Sequence, residues 1–168
     1  MPLEVTVRVA TPDDGPAVTA LLEASYPTLM GPAYEKEILE AALPSMTQAN
    51  ASLLSSGTYY LAERQDGGIV GAGGWTRERP GSGDVTPDLA HIRHFATHPG
   101  WTGRGIGRAI YAQCEAAARQ HDLRRFECFA SLNAVPFYAA LGFAALRQVE
   151  VPMALGLSFP AVLMARPI

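Results

Sequence analysis

Seven residues in the middle of the chain limit its fold more than any others: Gly103-Arg104-Gly105-Ile106-Gly107-Arg108-Ala109. They join two runs of different period. The run from Ala90 to Thr97 alternates as a strand does, and His98-Pro99-Gly100 closes it. The run that follows places Ile106, Ala109, Ile110, Cys114, Ala117 and Ala118 at the spacing of one helical face. Glycines between a strand and a helix let the backbone turn tightly and come close to a ligand. The first N–H groups of the helix have no internal partner and stand at the positive end of its dipole. A pyrophosphate suits such a place. The spacing departs from the dinucleotide-binding fingerprint, and the Lys-Ser/Thr of a P-loop is absent.

The remaining elements surround this unit. Val5, Val7 and Val9 alternate with Thr6 and Arg8 and predict a half-buried strand. Thr11-Pro12-Asp13-Asp14 reads as a helix entry, with Thr11 as cap, Pro12 in the first position and Asp14 closing a capping box. Ala17, Val18, Leu21 and Leu22 continue that helix, which is expected to end near Tyr26-Pro27. Further helices are expected over Ala33 to Leu43 and Ser45 to Leu54, and Gly57 breaks the pattern. Strands over Thr58 to Glu63 and Ile69 to Thr76 flank the turn Asp66-Gly67-Gly68. A loop from Arg77 to Asp88 and a strand from Arg125 to Ala130 are expected. Asn133 is then expected to cap a short helix stopped at Gly142, ahead of last strands over Ala145 to Val151 and Pro160 to Arg166. With no repeat or linker, residues 1–168 are expected to form one α/β domain.

Composition excludes several roles. The chain has 48% hydrophobic and 17% charged residues, a balance suited to a packed core. Its net charge is -3 and Lys36 is its only lysine, so nucleic acid is not an expected partner. No apolar run is long enough to span a bilayer, and Met1-Pro2-Leu3-Glu4 lacks the character of a signal peptide. The expected location is the cytoplasm. Cys114 and Cys128 sit in apolar patterns and read as buried thiols. His91, His94 and His98 would align on a helix, but on a strand His91 and His94 point to opposite faces, so no metal site is expected.

The stretch from His91 to Phe143 resembles the core of the GNAT superfamily of N-acetyltransferases. A strand, His-Pro, the glycine-rich turn, a long helix and a strand come in the family's order. Asn133-Ala134-Val135-Pro136-Phe137-Tyr138 and Leu141-Gly142-Phe143 then look like its N-x-x-A-x-x-F-Y-x-x-x-G-F run, with alanine here directly after Asn133. The family's turn usually opens with Arg or Gln, where this chain has Thr102. The resemblance implies a GNAT-like α/β fold, with a mixed, mostly antiparallel twisted sheet flanked by helices. It also implies acetyl-CoA as acetyl donor, transfer to a primary amine, and a bulge in the fourth strand.

On this resemblance, the backbone from Phe95 through Ala96 to Thr97 would hold the pantetheine arm, with the Phe95 N–H polarising the thioester carbonyl. Thr102, Gly103, Arg104, Gly105, Ile106, Gly107 and Arg108 would surround the pyrophosphate, and Asn133 and Phe137 would line the arm. Tyr138 matches the family's general acid; a phenol of pKa about 10 stays protonated at neutral pH. His91 stands four residues before Phe95, where histone-type members carry a glutamate base. Strand alternation would put His91, Arg93, Phe95 and Thr97 on one face. Direct transfer is expected, since neither cysteine has an activating setting. The acceptor, a small molecule or a peptide amine, would be chosen by the first two helices, the Arg77 to Asp88 loop and the segment from Val151 to Pro160. Tyr26, Tyr34, Trp75 and Met153 are candidate lining residues. A homodimer is a compatible assembly. A CoA-binding sensor or interaction module without turnover is the alternative from another class.

Overall fold

The computed structural model describes residues 4–153 and 156–168; Met1 to Leu3, and Ala154 and Leu155 of the expected acceptor-side segment, lie outside the described residues. Strand β1 (Val5–Val9) leads through a 3-10 turn into helix α1 (Gly15–Met30), followed by α2 (Lys36–Met46) and the single turn α3 (Ala51–Leu54). Strands β2 (Tyr59–Arg64), β3 (Ile69–Thr76) and β4 (Leu89–Thr97) precede α4 (Ile106–Gln120) and β5 (Arg125–Ser131). Helix α5 (Val135–Ala140) and the hairpin β6 (Ala144–Pro152) and β7 (Ser158–Pro167) complete the order. Seven strands form one sheet in the order β1-β2-β3-β4-β5-β7-β6. Every neighbouring pair is antiparallel except β4 and β5, which are parallel.

Each face of the sheet buries its own apolar cluster. Helix α4 covers one face: Ile106, Ile110, Cys114 and Ala118 are buried on its inner side against Ala62, Val70, Ile92 and Phe126. Helices α1 to α3 cover the other face, where Val18, Leu22, Tyr26, Leu39 and Leu53 meet Tyr59, Leu61, Ala72 and Ala96. The two clusters alternate along the strands, as the period of two requires. Glycines in β3 let these layers approach closely. A Cβ on Gly71 would lie 2.5 Å from Ile106 Cγ2, and one on Gly74 would lie 2.7 Å from the Tyr59 Cα.

The Thr11 entry forms as predicted, with the Thr11 N–H donating to the Asp14 carboxylate at 2.8 Å. Arg8 also holds that carboxylate, and the ion pair lowers Asp14 to about 2, through its hydrogen bond first. Several boundaries differ from expectation. Helix α1 does not end at Tyr26-Pro27 but runs through Pro27 to Met30, since Tyr26 and Met30 lie four residues apart on one face and both are buried. Helix α2 likewise runs through Pro44 to Met46, and the expected third helix shrinks to Ala51–Leu54, capped by Asn50. Asn133 is not a helix cap; it lies within a 3-10 turn, Leu132–Ala134, and Ala134 precedes α5. Val9 is 45% exposed, because β1 is an edge strand.

Two substitutions test the close approach of the layers. Gly74→Ala pushes a methyl against backbone that cannot rotate away and should cost about 1–3 kcal/mol. Gly31→Ala, at a helical φ of -50° with open space around it, should be neutral or gain about 0.4–1 kcal/mol. Urea midpoints decide; equal effects at the two positions would contradict this packing.

Candidate active site

The pairing of β4 with β5 stops early. Leu89, Ala90 and His91 have partners on β5, and from Ile92 onward the two strands share no register. On its other side β4 carries a bulge. Ala96 pairs with Ala72 and Arg93 with Gly74, so His94 and Phe95 stand opposite Gly73 alone. His94 takes a φ of +48°, the left-handed region that side chains rarely adopt. Two buried tyrosines fix this conformation. The Tyr59 hydroxyl donates to the His94 carbonyl at 2.8 Å, and the Tyr26 hydroxyl donates to the Phe95 carbonyl at 3.1 Å. Burial raises both phenols, so both remain donors. Gly73 supplies the space: a Cβ there would meet the Phe95 ring at 2.5 Å.

The bulge also reverses the expected facing of this strand. Before it, His91 and Arg93 point toward the side of α1 and α2, whereas Ala90 and Ile92 join the α4 cluster. After it, Phe95 packs with the α4 cluster and Ala96 with the other. His91 and Arg93 therefore do not share a face with Phe95 and Thr97, because one extra residue inverts the alternation.

The glycine-rich turn lies at the start of α4. Gly103 and Gly105 take φ values of +74° and +81°, and Gly105 is the residue that precedes the helix. Gly107 faces Phe137: a Cβ there would meet the ring at 2.8 Å. Tyr138 follows, buried, with Phe95, Phe137 and Phe143 around it at ring separations of 6.1, 5.0 and 5.4 Å. Its hydroxyl makes no hydrogen bond among the described residues, and burial raises the phenol well above its ordinary range.

A cavity of about 1310 Å³ runs through this region. That exceeds the span of about 300–1,000 Å³ common for one small ligand and leaves room for two. Phe95, Ala96, Thr97, Thr102, Gly103, Gly105, Ile106, Gly107, Arg108, Asn133, Phe137 and Tyr138 all line it. Arg104 does not; its guanidinium stacks over Trp101 at 4.4 Å. His91 does not line it either, being 3% exposed beneath the sheet surface. The three acceptor-side segments do reach it, through Tyr26 and Met30, through Arg79 to Ser82, and through Val151 to Met153. Of the candidate lining residues, Tyr26 and Met153 line the cavity. Trp75 is a core residue, and Tyr34 is a tether that donates to the Pro160 carbonyl at 2.7 Å and accepts from the Leu132 N–H at 2.8 Å. Cys128 borders the cavity, but burial pushes its thiol up to about 12, which leaves it without nucleophilic character at neutral pH.

Sequence reading missed His94, Arg93 and Ser131 as cavity residues, whereas Arg79 belongs to the Arg77 to Asp88 loop expected on the acceptor side. One signal was available: Gly71, Gly73 and Gly74 within a single strand mark close backbone approach.

Residues 31–154 match the acetyltransferase (GNAT) domain family. The chain belongs to the GNAT acetyltransferase family. Within it the chain is an acyltransferase, and solved GNAT structures share its fold. A GCN5-related N-acetyltransferase from Rhodopseudomonas palustris superposes with a TM-score of 0.80 at 22% identity, over 100% of this chain and 98% of that one. The PaiA N-acetyltransferase from Thermoplasma acidophilum, in complex with coenzyme A, gives 0.74 at 14% identity over 99% and 100%. A GNAT phosphinothricin acetyltransferase from Sinorhizobium meliloti, in complex with AcCoA, gives 0.65 at 17% identity over 99% and 89%. The mixed, mostly antiparallel seven-stranded sheet with helices on both faces is the fold of this family. No helix among the described residues is long and apolar enough to cross a membrane.

The bulge has a pH signature. Burial first, and Arg93 second, lower the His94 imidazole to about 4. In the unfolded chain it titrates near 6.5. Between these values the unfolded chain binds the extra proton, so stability falls as pH drops from about 6.5 toward 4. His91 is also lowered by burial and adds to the same fall, whereas Asp14 acts only in a more acid window. His94→Asn tolerates the positive φ and should remove part of the loss between pH 7 and 4.5 in urea titrations. An identical loss in both proteins would detach His94 from it.

Proposed function

We propose that this chain transfers the acetyl group of acetyl-CoA directly to a primary amine. The supporting observation is that one cavity meets three features: the open edge of β4 beyond His91, the glycine turn at the start of α4, and Tyr138. The residues present suit the donor. Left-handed glycines and unpaired N–H groups of α4 would receive its pyrophosphate, with Arg108 adding charge and the Thr102 hydroxyl beside it. The backbone of Phe95 to Thr97 would run along the pantetheine arm, and Asn133 and Phe137 would border it. When bound, acetyl-CoA supplies an activated thioester.

The residues then divide the work. The Phe95 N–H, turned by the bulge, would donate toward the thioester carbonyl oxygen as the amine nitrogen forms its bond to the carbonyl carbon. Tyr138 would donate its phenolic proton to the sulfur as the carbon–sulfur bond breaks, and would regain a proton through water from the newly acylated nitrogen. The amine must be neutral to attack, which for an alkyl ammonium costs about 4.6 kcal/mol at pH 7. With His91 outside the cavity, its proton would pass to water, so kcat/KM should rise with pH along the amine's own titration. The high thiol pKa of Cys128 favours direct transfer over an acetyl-enzyme.

Gly105→Glu should abolish saturable acetyl-CoA binding in calorimetry, because the carboxylate would meet the pyrophosphate. Gly57→Glu, at a matching φ of +80° in open space, imposes the same backbone strain away from the cavity and should leave binding intact. Equal binding by both variants would remove the turn from the site. Tyr138→Phe keeps the ring and should lower kcat by roughly 10²–10⁴ with little change in acetyl-CoA KM. A kcat within about twofold of the parent, with chemistry rate-limiting, would mean that water protonates the thiolate.

A further inference from the structure

The side of the cavity away from the α4 turn carries positive charge that acetyl-CoA would not use. Alternation on β4 before the bulge puts Arg93 on the α1 and α2 side of the sheet. On β5, Phe126, Cys128 and Ala130 join the α4 cluster, so Phe129 points to the same side as Arg93. Arg79, from the loop between β3 and β4, lies with its guanidinium over the Phe129 ring at 5.4 Å. The loop is braced for this by the Arg79 N–H donating to Asp84 O and by the bridge between Glu78 and Val85. Both arginines line the cavity.

Neither is neutralised. Among the described residues no carboxylate lies within 4 Å of either guanidinium. Arg93 is partly buried, donates to Thr76 Oγ1 at 3.0 Å, and is held below its ordinary range by burial, with Glu78 opposing that shift from beyond ion-pair distance. Glu127, on the same face of β5, is taken by Arg125 at 3.1 Å. Glu150 is the one carboxylate among the described residues lining the cavity; it is exposed on β6 and accepts from Ser158 Oγ. A polyamine acceptor would need several carboxylates here. Two arginines without counter-ions, one of them desolvated, call for an anion.

Resting on the acetyl-transfer reading, we infer that the acceptor is a small primary amine that carries an oxyanion group, as an amino acid does, and that Arg79 and Arg93 bind this group. Their planar donors suit a carboxylate or phosphonate, which would fix the amine on the acceptor side of the β4 opening. The same cations disfavour the ammonium form of a nearby amine, which eases its deprotonation.

The test compares matched acceptors by release of free CoA: L-amino acids against their carboxamides, 2-aminoethylphosphonate against ethanolamine, and spermidine. The acid members should exceed their neutral partners in kcat/KM by about tenfold to a hundredfold, the scale of hydrogen bonds to a charged group. Whether carboxylate or phosphonate leads identifies the oxyanion. Arg79→Gln and Arg93→Gln should each collapse the preference toward one by lowering kcat/KM for the acid member far more than for its neutral partner; Arg93→Lys should keep part of it. Arg79 is on an exposed loop, so its variant remains informative if Arg93→Gln misfolds. Neutral amines or spermidine used as well as the acids would overturn the inference and leave acetyl transfer standing. If no amine is turned over, the transfer reading fails instead. Calorimetry of N-acetylglycine against N-acetylglycinamide in the presence of CoA then decides on the anion site, and equal affinities overturn it.

Discussion

The premature end of the β4–β5 pairing is the feature on which the site depends. Strands that stay paired bury their edge groups in a ladder; here the ladder stops after His91 and leaves an opening inside the sheet. An exposed edge in mid-sheet is costly unless something covers its polar groups. In this molecule the carbonyls of His94 and Phe95 are satisfied by tyrosine hydroxyls from β2 and α1. Those phenols come from two separate elements of one apolar cluster, so the bulge is fixed by the packing of α1 on the sheet rather than by its own strand. A rigid bulge can aim an N–H at a fixed point, which a mobile loop could not do without an added entropic cost.

Gly73 and Gly107 serve this arrangement from both sides. Each removes a Cβ that would collide with an aromatic ring, Phe95 in one case and Phe137 in the other. The two rings lie 6.2 Å apart, and Tyr138 packs against both. The aromatic cluster is therefore a spacer between the bulge and the start of α4. Its apolar character also keeps the Tyr138 phenol protonated, so a single environment gives both position and protonation state.

Charge is divided between the two sides of the opening. Backbone dipole, left-handed glycines and Arg108 stand at the α4 end, whereas Arg79 and Arg93 stand across the sheet. The chain as a whole carries -3, so this local positive character cannot be inferred from net charge. The bulge inverts alternation between Arg93 and Phe95 and so turns the two side chains to opposite faces of the sheet.

The sequence alone determined much. Periodicity located β1, β3 and α4 within a residue or two, and the Thr11 entry and the glycine turn were legible because their chemistry is local: a cap, a fixed φ, a left-handed residue. The run from Asn133 to Phe143 placed Phe137 and Tyr138 at the cavity. What failed was non-local. The extension of α1 through Pro27 depends on burial of Tyr26 and Met30 against a sheet formed later in the chain. His91 stays outside the cavity because it is still paired with β5, Arg93 enters it beyond the end of that pairing, and Phe95 turns away from both through a bulge that no window on β4 reveals. Its cause lies in partners far along the chain, Gly73, Tyr59 and Tyr26, and only when tertiary packing brings them together does the face of each β4 side chain become fixed.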